Sequence, residues 1–157
     1  MKNKVLAVVS VTLGFFMVSD ALFAHHSDSV FDQDRLITII GTVTRFRFAN
    51  PHTRIYMDVK DDKGNVEPWI ITGGALGSMS KVGWTHRTIK PGEELTISGF
   101  QYWDGRKVMI HVKLTRANGE EIPTSESEVR RLARFLEKFG ARTVEDLSPN
   151  IHLRVGS

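Results

Sequence analysis

The chain has 157 residues, with 21 Lys and Arg against 18 Asp and Glu, and it contains no cysteine. Disulfide frameworks, thiolate metal sites and thiol nucleophiles are therefore excluded, and stability must come from packing. The near-balanced charge predicts no strong pull on nucleic acid or on an anionic membrane, so neither is expected as a partner.

The N-terminus reads as an export signal. Lys2 and Lys4 form a positive start, an almost unbroken apolar run follows from Val5 to Val18, and small or polar residues lead to two candidate cleavage points. The run is shorter than the roughly 20 apolar residues that span a bilayer, so a removed signal peptide over 1–24 is expected rather than a membrane span. The destination is the periplasm or the exterior. Cleavage after Ala21 satisfies the small-residue rule better at Ser19, whereas cleavage after Ala24 makes His25 the first mature residue. The latter leaves 133 residues with 19 basic and 17 acidic side chains, since Lys2, Lys4 and Asp20 are lost. That length suits one domain.

Short strands separated by turns follow. Leu36 to Phe48 is β-branched and aromatic, with Ile37, Ile39 and Val43 on one parity and Phe46 and Phe48 on the other, a switch that predicts a bulge at Gly41. In the second strand Ile55, Met57 and Val59 face the core, and Arg54, Tyr56, Asp58 and Lys60 face water. Asp61-Asp62-Lys63-Gly64 is a hairpin turn, and Val66 to Thr72 is a third strand that Pro68 assigns to an edge. Leu76, Met79 and Val82 recur every third residue and predict a short helical connection. Gly73 to Gly77 matches no phosphate-binding fingerprint and reads as a close-packed turn.

Leu95 and Ile97 begin a fourth strand, Asp104-Gly105 turns the chain, and Val108, Ile110, Val112 and Leu114 form an apolar stripe that leaves His111 on the solvated side. The succession is mainly β: three strands, a short helical connection and two strands, as in a five-stranded OB-like barrel over 25–122. A helix and tail occupy 123–157. Ser125 and Glu128 form a capping box, and Val129, Leu132, Phe135, Leu136 and Phe139 share one face of an amphipathic helix from about Glu126 to Phe139. That face is expected to pack on the barrel, with a protein partner as the other possibility.

Three histidines carry the expected chemistry. A freed α-amine and the ring of His25 chelate one metal ion, and His52, in the turn Asn50-Pro51-His52, is the preferred further nitrogen ligand with His26 beside it. Copper suits such a nitrogen set. Asp28, Asp32 or Asp58 would fix the imidazole tautomers. Trp84, Tyr102 and Trp103 are expected to wall a ligand cleft, while Trp69 fills core. Catalysis has thin support, because Ser78, Ser80 and Ser98 lack a nucleophile-elbow context and no compact carboxylate pair is visible.

The motifs His25-His26-Ser27, Gly41-Thr42-Val43, Asn50-Pro51-His52, Trp69, Gly83-Trp84, Pro91-Gly92 and Asp104-Gly105 together resemble an uncharacterised family of exported bacterial proteins, domain-of-unknown-function family 6152. The resemblance covers about His25 to Ile122 and implies a small secreted β-barrel; it supplies no catalytic residues. The extension beyond Pro123 is not part of that pattern. The resulting expectation is a periplasmic binding module that holds copper through His25, His26 and His52. The alternatives are a small-molecule or protein interaction module without metal and, in third place, a copper-dependent oxidative enzyme.

Overall fold

The computed structural model describes residues 30–155. The segment expected to be a signal peptide, with its candidate cleavage points, and His25 and His26 lie outside them. β1 (Phe31–Arg47), β2 (Arg54–Lys60) and β3 (Val66–Thr72) lead through α1 (Leu76–Lys81) to β4 (Glu94–Tyr102) and β5 (Val108–Arg116). Antiparallel pairing joins β2 to β1, β1 to β4, β4 to β5 and β2 to β3, and a parallel β3–β5 contact closes the ring. The mainly β, OB-like barrel expected from the order of elements is the observed fold.

β1 is long because it serves two neighbours, pairing with β4 through its first half and β2 through its second. At Gly41 it pairs with both, opposite Leu95 and Val59. A Cβ there would stand 2.5 Å from the carbonyl oxygen of Asp58, so glycine is needed for close approach. The bulge expected at Gly41 falls instead between Val43 and Arg45, where Thr44 is the extra residue. This insertion changes the phase: Ile37, Ile39 and Val43 lie within the barrel core, and Phe46 and Phe48 pack against it from the other parity. β3 pairs with β2 along its whole length but with β5 only from Ile70, so Pro68 sits where no β5 partner needs its missing N–H.

A second irregularity corrects the reading of β5. Between Ser98 and Gly99 the β4 register jumps from Lys113 to His111, leaving Val112 unpaired. Met109 joins the barrel core, whereas Ile110 and Val112 join a second cluster with Phe100. The stripe from Val108 to Leu114 is therefore split between two cores, and His111, expected in solvent, is 1% exposed.

That second cluster lies under α2 (Glu126–Lys138), which places Phe135 5.1 Å from Phe100, ring to ring, with Leu132, Leu136 and Phe139 beside it. Val129, assigned by spacing to the same face, is exposed. Most of the apolar side thus packs on the barrel, through Leu132, Phe135, Leu136 and Phe139. Ser125 is the N-cap of the helix, which ends before Gly140. Its capping box takes another form: neither side chain caps a backbone N–H, and the Ser125 hydroxyl donates instead to the Glu128 carboxylate.

Two short strands were not expected. β6 (Glu121–Ile122) pairs with β5, and β7 (His152–Val155) lies parallel to β1, opposite Leu36 to Ile39. His152 Nε2 and the Thr38 hydroxyl are 2.7 Å apart, and the same hydroxyl is 2.7 Å from that of Ser98. No helix among the described residues is long and apolar enough to cross a membrane.

Candidate functional site

His52 lies in the loop between β1 and β2, exposed, and its ring has no hydrogen-bond partner among the described residues. The next residue is fixed: Thr53 is buried, its N–H and hydroxyl donate to the Gly74 carbonyl at 3.1 and 3.2 Å, and its carbonyl accepts from the Gly73 N–H at 3.0 Å. Thr53 thereby anchors the β2 end of the loop that carries His52. No group of three or more His, Cys, Asp or Glu placed to hold a metal occurs among the described residues.

The three aromatic residues assigned to a ligand cleft do not converge. Trp84 is 3% exposed, belongs to the barrel core and donates its indole N–H to the Pro123 carbonyl at 2.7 Å. It stacks on His111 at 5.9 Å with 7° between the rings, so it fills core and does not wall a cleft. Tyr102 is half-buried against the edge of Phe31 in the second cluster, with the Arg106 guanidinium 4.9 Å from its ring centre. Trp103 alone is well exposed, 61%, at the tip of the β4–β5 hairpin.

His111 anchors a buried polar cluster that the sequence reading missed. A Cβ on Gly73 would meet His111 Nε2 at 2.2 Å and the Thr53 hydroxyl at 2.7 Å, which explains why a residue without a side chain is needed in that turn. Neither ring nitrogen of His111 has a hydrogen-bond partner among the described residues. Burial pushes its pKa down to about 4; the nearby Glu128 carboxylate raises it and Arg131 lowers it further. Glu128 is itself buried and accepts from Ser125. His, Glu and Ser together suggest acyl-transfer chemistry, but a ring sealed under Trp84 cannot reach a substrate, and the cluster serves the junction of α2 with the barrel. Only the bulge at Val112 turns His111 inward, and no local pattern signals it.

The outer surface of β1 and β2 has a different character. Arg45 pairs across the strands with Tyr56, and Arg47 with Arg54. The Arg45 guanidinium lies 3.9 Å over the Tyr56 ring. Burial raises the Tyr56 pKa, but hydrogen bonds and positive charge from Arg54 and Arg45 outweigh it and hold the phenol below its usual value.

The family model described as "Family of unknown function (DUF6152)" matches residues 14–111, more than half of the chain. No curated protein matches. Among solved structures, a mitochondrial single-stranded DNA binding protein of S. cerevisiae, Rim1, is similar at 8% identity and a TM-score of 0.41, over 52% of this chain and 92% of its own. The S. pombe Stn1–Ten1 complex is similar at 18% identity and a TM-score of 0.34, over 66% of this chain and 70% of its own. The expectation that nucleic acid is excluded does not stand, because a near-balanced total charge does not describe the charge of any one face: Arg45, Arg47 and Arg54 lie together on the outer surface of β1 and β2.

Proposed function

We propose that this chain, which belongs to the DUF6152 family of unknown function, is an exported binding module that holds one copper ion. The amine and ring of a mature N-terminal His25 supply two nitrogens, and His52 and His26 supply the rest. The observation that supports this reading is the state of His52, exposed and without a hydrogen-bond partner among the described residues, beside a buried Thr53 that makes three hydrogen bonds. An exposed imidazole next to an anchored residue is open to a metal ion and gives up no contact within the fold to bind one. Neutral nitrogen donors without a thiolate suit copper in its oxidised form. Export rests on Lys2, Lys4 and the apolar run after them.

Titration of the mature protein with Cu(II) against a competing chelator tests the reading. One-to-one binding is expected, weakened at least about tenfold when a single alanine precedes His25, a loss of about 1.4 kcal/mol. Equal affinity with and without the added residue removes the amine from the site.

A second reading has one observation in its favour, the exposure of Trp103 beside Tyr102 on the β4–β5 hairpin. A small molecule bound there without metal would quench Trp103 emission, and copper would not.

A further inference from the structure

We infer that the outer face of β1 and β2 is a docking surface for a single-stranded nucleic acid, with phosphates on Arg45, Arg47 and Arg54 and a base against Tyr56 and Ile70. The inference is independent of copper and uses none of the same residues.

The argument begins with a cost. Arg47 and Arg54 stand directly opposite each other on neighbouring strands, and like charges in that relation destabilise a sheet. Arg45 adds a third cation one same-face position along β1. None of the three makes an ion pair with a carboxylate among the described residues, although the chain pairs other cations: Arg116 with Glu93, Arg106 with Asp104, Lys107 with Glu67 and Lys138 with Asp34. Asp58, the acid on the same face of β2, lies beyond Tyr56 opposite Thr42 and pairs with no arginine. An anion bound across the three guanidinium groups would relieve the repulsion and accept their paired N–H donors.

What lies beside the arginines selects the kind of anion. Across the sheet Tyr56 is followed by Ile70 on β3 and then Val108 on β5, all half-buried and all outside both core clusters. A track of positive charge bordering an aromatic and aliphatic strip matches a single strand, whose phosphates lie along one edge and whose bases have apolar faces to stack. Polyphosphate and lipid headgroups would use the arginines and leave the strip bare. A duplex hides its bases from it.

Fluorescence anisotropy of the mature protein with a labelled single-stranded DNA of mixed sequence tests the inference. Saturable binding is expected, with log K falling against log salt at a slope of about −2 for three phosphate contacts to a single strand. Arg47→Gln should weaken binding several-fold, make that slope shallower by about 0.7, and raise the melting temperature of the free protein, because it removes one of two facing cations. Tyr56→Leu should weaken binding and leave the slope unchanged. The inference is overturned if the strand fails to bind at low salt. It also fails if inorganic polyphosphate, anionic vesicles or the duplex bind as tightly as the strand, or if Arg47→Gln keeps full affinity.

Discussion

His111 shows how a single side chain sets a pH dependence. Its folded pKa, about 4, lies below its ordinary value of 6.5, so the unfolded chain takes up the proton first. Stability is then complete above about pH 6.5 and declines as the pH falls toward 4, by roughly 3 kcal/mol over the interval. Below that range both states are protonated and this contribution becomes constant. Burial also lowers the pKa of His152, so it adds a slope of the same sign. In urea melts followed from pH 7 to pH 4, His111→Leu should lose much less stability than the natural protein. Parallel curves for the two proteins would show that the buried imidazole is not the group responsible.

At the scale of the element, α2 derives its stability from one face. Phe135 contacts Phe100 and Phe139, with centroids 5.1 and 4.8 Å away, and is buried, while Val129 is exposed. Phe135→Ala should cost about 3 to 4 kcal/mol, and Val129→Ala less than about 0.5 kcal/mol; chemical denaturation of the two variants checks the contrast. The same two residues mark how far periodicity could be read. Spacing put both on the apolar face, and contact with the barrel selected Phe135. Strand order, the turns at Gly64 and Gly105 and the extent of α2 were legible because each depends on neighbours in sequence. The extra residues at Thr44 and Val112 were not, because a bulge is fixed by the strand alongside; β7 was not, because His152 to Val155 carries too little local pattern to announce a partner 114 residues away at Thr38.

For the whole molecule, topology and family were legible, and the surroundings of the expected site residues only in part. The order of three strands, a helical turn and two strands led to the barrel, and the scattered short motifs led to DUF6152. Total charge misled, because 21 basic and 18 acidic side chains say nothing of three arginines gathered on one surface. Trp84 misled as well: a large ring near a turn serves equally as cleft wall or as core, and the small barrel uses it to cover His111. The Asn-Pro context put His52 in a turn, and it lies exposed in the loop between β1 and β2. The copper reading joins that residue to a terminus created only by processing, so it is tested by counting nitrogens at the metal. Electron paramagnetic resonance of the mature protein carrying one equivalent of Cu(II) should show coupling to at least three nitrogen nuclei, with at least one lost in His52→Ala. A spectrum unchanged by that substitution, or a mature chain that begins at Leu22, would contradict the account.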